Sequence, residues 1–204
     1  MKNIYITPAL QYRYKKSLVF YLEHNWYKYS NKIKFNLIPI INLVDLKKKI
    51  AKIKPHGLII SGGGDISKIK KNLINQCRDK NEIELYHYFN KLNLPILAVC
   101  RGFQLLYTLH KNNLGIAKNH INKTHRVEIT NKDELFNFKQ IITNSYHKYC
   151  AETSKGIEII GKHDDGTIEI SKIKKKVLMF MFHPERKNLD QKKIDRVFKK
   201  FFNI

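Results

Sequence analysis

Acidic residues are scarce in this chain. Seventeen Asp and Glu stand against 39 Lys and Arg, for a formal net charge of +22 over 204 residues. Arginine is scarce as well: 33 of the basic residues are lysine and 6 are arginine. Nucleic-acid surfaces concentrate Arg in patches or stripes. Here the lysines run through every segment, KIKKK at 172–176 being the densest stretch, alongside abundant Ile, Asn, Phe and Tyr. That pattern describes a solvated surface of biased composition and argues against a nucleic-acid partner. A field of this sign still favours phosphate-bearing small molecules. Cysteine is limited to Cys77, Cys100 and Cys150, with no CxxC or zinc-ligand spacing. A disulfide framework and a zinc ribbon are thereby excluded, and a reducing compartment, the cytoplasm, is expected. Long apolar runs are missing too. The longest candidate, LIPIINLV at 37–44, is strand-sized, whereas a membrane helix needs about 20 residues. No secretory apolar region follows Met1, and no repeat, linker or low-complexity tail breaks the chain, so one domain over 1–204 and no membrane partner are expected.

What is present is a core: 43% of residues are hydrophobic. KNIYIT (2–7), KFNLIPI (34–40), HGLIIS (56–61) and PILAV (95–99) look like strands, the last two apolar on both faces as central parallel strands are. Helical spacing is expected over 14–30 through Leu18, Tyr21, Leu22 and Trp26, and over 45–53, 79–91 and 101–111. The second half reads differently. HRVEIT (125–130), FKQIITN (138–144), GIEIIGKH (156–163), GTIEIS (166–171) and KVLMFMF (176–182) are strand-like, several with the alternation of half-exposed antiparallel strands, before an amphipathic helix over 188–203. The expected fold is α/β: a doubly wound, mostly parallel sheet with flanking helices and some antiparallel strands in the second half.

In such a sheet, ligands sit beyond the carboxyl ends of the strands. Cys100 stands there, between the strand PILAV and a helix, in the pattern Ala98-x-Cys100-x-Gly102. Small residues two positions to either side let the chain turn sharply and expose a strained nucleophile, and the helix N-terminus favours thiolate over thiol. A thiolate needs a base. MFHPE (181–185) places His183 after an apolar strand and Glu185 within reach of its imidazole. An oxyanion needs donors. IISGGGD (59–65) ends a strand in three glycines whose amides can approach closely, and the amide of Arg101, the residue after the cysteine, is a second donor. Cys77 and Cys150 read as structural cysteines.

With these pieces in order the chain resembles the class I glutamine amidotransferase superfamily, and within it the free-standing γ-glutamyl hydrolase branch. SGGGD (61–65), RDKNE (78–82), PILAVCRGFQLL (95–106), NSYH (144–147) and MFHPE (181–185) match that branch's PGGGD, RDxxE, PILGICRGxQLLN, NSxH and QFHPE, and the likeness spans roughly residues 1–8 and 35–190. The resemblance implies Cys100 as nucleophile, His183 as general base and acid, and Glu185 as its orienting partner. It implies Gly63, Gly64 and Arg101 as oxyanion donors, and Gln104, Ser145 and Tyr146 at the γ-glutamyl group. It leaves Arg78, Asp79 and Glu82 between a structural ion-pair net and a substrate role, and puts His125 and His147 at polar positions read as structural. The implied reaction, hydrolysis of a γ-glutamyl amide, needs no metal or cofactor. The branch's GGxLxQD is absent, with KNNLGIAKNH at 111–120 instead, and the stretch between SGGGD and RDKNE is short. Both changes fall in loops expected to shape the leaving-group side, and with the lysine excess they favour an anionic leaving group; resemblance to a member of the branch with a nucleotide-linked substrate implies cytidine diphosphoramidate as that group. A γ-aminobutyrate-type leaving group, a glutaminase subunit feeding ammonia to a synthetase, and a non-catalytic basic module are the alternatives.

Overall fold

Ile96–Val99 (β6) is buried on both faces, and the reason is alternation across a covered sheet. The computed structural model describes residues 1–14, 17–131 and 133–204. In chain order the described elements are β1 (Asn3–Ile6), β2 (Ala9–Arg13), β3 (Ser17–Tyr21), α1 (His24–Ile33), β4 (Asn36–Pro39), α2 (Leu43–Ile50), β5 (Gly57–Ile60), α3 (Leu73–Lys91), β6, α4 (Arg101–Leu109), β7 (Leu114–Ile116), β8 (Ile121–Ile129), β9 (Gln140–Tyr146), β10 (Tyr149–Ala151), β11 (Glu158–His163), β12 (Ile168–Ile173), β13 (Val177–Phe180) and α5 (Gln191–Phe202).

Nine of the described strands form one sheet in the order β4-β1-β5-β6-β13-β12-β11-β8-β9. Pairing is parallel from β4 through β13 and antiparallel from β13 through β9. The fold is therefore the expected α/β one, parallel in its first part and antiparallel in its second. One face packs Ile4, Ile6, Ile59, Leu97, Val99, Leu178 and Phe180 under α1 and α5, through Trp26, Ile33, Phe198 and Phe202. The other packs Tyr5, Leu58, Ile60, Ala98, Val177 and Met179 under α2, α3 and α4, through Leu46, Phe89, Phe103 and Tyr107. Burying each large apolar side chain contributes about 1.5–3 kcal/mol, so two-sided coverage concentrates stability in β5, β6 and β13.

One expected element is replaced. The helix placed over 14–30 is a β2–β3 hairpin followed by α1, which begins only at His24; Lys15 and Lys16 lie outside the described residues. Leu18 and Tyr21, counted toward a buried stripe, are 50% and 40% exposed. SLVFY pairs with ALQYR in register, Leu10 opposite Phe20 and Tyr12 opposite Leu18, and β-branched and aromatic content outweighs the accidental helical spacing. α3 starts earlier than expected, at Leu73, because the Asn72 side chain accepts from the Asn75 amide and caps it. Among the described residues no helix is long and apolar enough to cross a membrane.

Candidate active site

β5, β6 and β13 are neighbours in the sheet and parallel to one another, so their carboxyl ends open side by side. Each end carries one of the expected groups: the glycines after β5, Cys100 after β6, His183 after β13. Cys100 takes φ 50° and ψ −100° at the N-cap of α4, a left-handed conformation that costs a non-glycine residue energy. Two things hold it there. The Cys100 amide donates to Phe180 O at 2.7 Å, and Gly102 lets α4 press onto β5, since a Cβ at Gly102 would lie 2.4 Å from Ile60 O.

The imidazole is fixed from both ends. Glu185 Oε1 lies 2.7 Å from His183 Nδ1, both side chains being buried. The turn that carries them is clamped by Asn144, whose Oδ1 accepts from the His183 amide at 2.9 Å and whose Nδ2 donates to His183 O at 2.8 Å. Asn188 adds a donor to the same carbonyl. Gly62 shows how tightly the three strand ends meet: a Cβ there would stand 2.7 Å from His183 Cε1 and 3.4 Å from Cys100 Cβ. Burial disfavours the Cys100 thiolate, yet the charge of His183 and its hydrogen bond, then the charges of His147 and Arg186, outweigh it and lower the thiol below its usual range. Burial likewise opposes the His183 imidazolium, but the Glu185 carboxylate and the Cys100 sulfur overcome it and raise His183 to about 10. The ion pair of thiolate and imidazolium is the form these surroundings favour.

Gly63 and Gly64 both adopt positive φ, 87° and 76°, and a staple sets the loop they belong to. The Arg78 guanidinium donates to the carbonyls of Ser61, Gly62 and Gly63 at once. With three carbonyls drawn toward α3, the loop is held rigid against the Cys100 elbow. Arg78 Nε in turn donates to Glu82 Oε1 at 2.9 Å, which also accepts from Thr7 Oγ1 at 2.8 Å. The Arg101 side chain turns away from the cavity to meet Glu82 and Asp79, and its Nε reaches Asp65 O at 3.1 Å. Its amide, at the first turn of α4, belongs to the helix-end donors that have no intrahelical acceptor. Arg78, Asp79, Glu82 and Arg101 are buried and paired with one another, which decides between the two roles left open for RDKNE: the net ties the glycine loop to the nucleophile elbow.

Two cavities share Gly63, His183 and Arg186 in their walls. The first, about 240 Å³, is also lined by Gly64, Cys100, Gln104, Tyr146 and Lys148. The second, about 250 Å³, is walled by Tyr21 of the hairpin with Glu23 and Trp26. Gln104 is buried, its Nε2 3.4 Å from Tyr149 O. Tyr146 stands at the rim, edge-on to His183 and beneath the Arg186 guanidinium at 4.6 Å. Ser145 is the exception among the expected substrate contacts. Its side chain is fully buried and its hydroxyl donates to His120 O at 2.6 Å, so strand alternation points it away from the cavity that Tyr146 lines. Arg186 was not anticipated. It follows the HPE stretch directly, pairs at 2.8 Å with Glu23 at the N-cap of α1, and adds positive charge to both cavities.

Comparisons with known proteins identify the family and the fold. The family model for glutamine amidotransferase class-I matches residues 14–204. The chain is similar to a γ-glutamyl-CDP-amidate hydrolase of Campylobacter jejuni, 28% identical over 80% of each chain. It is also similar to a glutamine-hydrolysing GMP synthase subunit of Methanocaldococcus jannaschii, 30% identical over 76% of this chain and 75% of that one. Among solved structures, a glutamine amidotransferase from Thermotoga maritima superposes with a TM-score of 0.68 at 11% identity, over 99% of this chain and 83% of that one. A cysteine at a strained strand end, an imidazole–carboxylate pair in the turn after the adjacent strand and a match over nearly the whole length lead to one conclusion: the chain belongs to the class I glutamine amidotransferase family.

Proposed function

We propose that the chain is a cysteine-dependent hydrolase of γ-glutamyl amides that releases glutamate and an anionic leaving group through its nitrogen. The observation that carries this reading is the Cys100 sulfur, strained above the sheet and drawn toward thiolate by an imidazole that Glu185 orients. In this reading the thiolate attacks the γ-carbonyl, and the oxyanion is taken up by the amides of Gly63 and Arg101, with Gly64 beside them. His183 gives its proton to the departing nitrogen, then accepts one from the water that cleaves the thioester. Gln104 and Tyr146 face the γ-glutamyl group in the first cavity, and the hairpin-walled second cavity takes the leaving group. Ser145 has no side-chain role at the substrate. The steps call on no metal or cofactor.

A nucleotide-linked leaving group, cytidine diphosphoramidate, is supported by the likeness to the Campylobacter enzyme and by Arg186 and Lys148 at the cavities. It would place the chain in the synthesis of capsule phosphoramidate. The test is the purified chain against γ-glutamyl-CDP-amidate, γ-glutamyl-γ-aminobutyrate and glutamine. A kcat/KM at least about 100-fold higher on the first is expected, since charged groups left unpaired in a site are strongly discriminating. Faster turnover of γ-glutamyl-γ-aminobutyrate would refute the nucleotide version. A second reading, a glutaminase subunit, draws on the likeness to the Methanocaldococcus GMP synthase chain. It requires turnover of glutamine that rises when a synthetase partner is added.

The pH profile follows from the two shifts. Activity should rise from the acid side as Cys100 ionises, at a pH below the ordinary thiol value of 9.0, and fall as His183 loses its proton near 10. Because His183 is raised from 6.5, its contribution to stability is complete below 6.5 and is lost as the pH climbs through about 10. Initial rates and melting temperatures across the alkaline range read both effects.

A further inference from the structure

Outside the hydrolytic pair the most unusual feature is a knot of buried histidines behind the wall of the first cavity. His120 precedes β8, His125 lies in β8, His147 follows β9 and Glu169 lies in β12. All four are buried, and one donor atom from each lies within 4.8 Å of the others. Glu169 Oε1 is 3.1 Å from His125 Nδ1, 3.3 Å from His147 Nε2 and 3.9 Å from His120 Nδ1, while His120 Nδ1 and His147 Nε2 are 3.4 Å apart. Ligand atoms around a tetrahedral zinc ion, at bonds of about 2.0–2.1 Å, are separated by about 3.3 Å.

The outer nitrogens fit the same arrangement. His120 Nε2 stands 2.6 Å from Asp165 Oδ2, and Asp165 is itself held by the Thr167 amide and hydroxyl. His147 Nδ1 stands 3.0 Å from the Tyr149 carbonyl, which can only accept. Both contacts place a proton on the outer nitrogen, so in the neutral rings that a metal ion would select the inner nitrogens present lone pairs to the centre. A carboxylate or carbonyl behind the ring is what metal-bound histidines ordinarily have. Glu169 Oε2 is buried with no hydrogen-bond partner. A fully buried carboxylate oxygen left unpaired carries a penalty that a cation would remove.

We propose that His120, His125, His147 and Glu169 form a closed four-ligand site for one divalent transition-metal ion, zinc foremost, beside the cavity that Cys100 lines. Three imidazoles and a carboxylate suit zinc among the first-row metals, and four protein ligands with no open position make the site structural. The ion would join β8, β12 and the end of β9, and would fix His147, which also lines the Cys100 cavity. It takes no part in the hydrolytic steps proposed above, and the site stands or falls independently of them.

Cobalt(II) is the probe, because its visible absorption reports coordination number and ligand type without reference to activity. The full chain, freed of metal by a chelator and checked for its fold by circular dichroism, is titrated with Co2+ and then with Zn2+. The expected result is uptake of one Co2+ per chain with the intense visible bands of a four-coordinate ion, displaced by Zn2+. No near-ultraviolet sulfur charge-transfer band should appear, and the Cys100→Ala spectrum should be unchanged. Glu169→Gln should lose binding. Asp165→Asn, a half-exposed change that leaves the core alone, should weaken it by about 10- to 100-fold. A folded wild-type chain that takes up no Co2+ would overturn the proposal and leave a proton-shared histidine network. So would a sulfur band that disappears with Cys100→Ala, or affinity unchanged in both Glu169→Gln and Asp165→Asn.

Discussion

Cys100→Ala is expected to lower kcat on the preferred γ-glutamyl amide by about 10^4- to 10^6-fold, with the fold retained. Removal of the nucleophile from a unit of nucleophile, base and carboxylate costs about that much in comparable hydrolases. The loss should not grow when His183→Ala is added, because without the sulfur no tetrahedral intermediate or thioester forms for the imidazole to serve. Stability separates this role from a packing role. Alanine keeps the Cβ and therefore the strain of φ 50°, so its melting temperature should stay close to wild type. Cys100→Gly removes the Cβ and should recover the strain, about 1–3 kcal/mol, while being equally inactive. Single-turnover product measurement by mass spectrometry and thermal melts of the two variants check the pair of statements. A Cys100→Ala chain that still hydrolyses at a hundredth of the wild-type rate would remove the cysteine from the mechanism.

How much of this was legible beforehand differs from element to element. The central strands were readable because residues buried on both faces leave an unbroken apolar run, as in HGLIIS and PILAV. The groups at their ends were readable because short motifs carry their own geometry: a cysteine between small residues, a histidine two positions before a glutamate, a row of glycines after a strand. The hairpin of β2 and β3 was not, since its exposed Leu18 and Tyr21 fall by accident on helical spacing and only pairing with Tyr12 and Ala9 gives them a place. β7 and β10 have three residues each, too few for any period to show. Ser145 and Tyr146 are neighbours in one motif, yet alternation along β9 sends one inward and the other to the cavity rim. The histidine knot comes from three separate segments, β8 with the residue before it, the end of β9 and β12, and only tertiary structure brings them together. Arg78 and Arg101 were visible as charges, but that one of them grips three carbonyls of the glycine loop is a fact of tertiary structure.

The net that makes this grip carries the largest expected effect on stability. Glu82 is 1% exposed and is the shared partner of Arg78 and Arg101, two guanidinium groups that are themselves buried. Burial opposes its ionised form, but Arg101 and then Arg78 outweigh that and hold its carboxyl below the usual range. Glu82→Ala would take the carboxylate from Arg78 and leave Arg101 with Asp79 alone, and breaking a buried pair in this way costs about 3–5 kcal/mol. For a chain of this size that is a drop of roughly 10 °C in melting temperature. Removing the half-exposed Lys49–Asp45 pair should cost no more than about 0.5 kcal/mol, which provides the control. The pH dependence has a definite sign. A depressed carboxyl contributes stability above its unfolded value of 4.5 and loses it as the pH falls, so the gap between wild type and Glu82→Ala should narrow in acid. Activity should respond as well, even at temperatures where the variant is fully folded. Without Glu82 the Arg78 guanidinium is free to leave the carbonyls of residues 61–63, the oxyanion amides shift, and a displacement of about 1 Å costs about 100-fold in kcat. Equal melting temperatures for wild type and Glu82→Ala would mean that the net is not what fastens the glycine loop to the elbow.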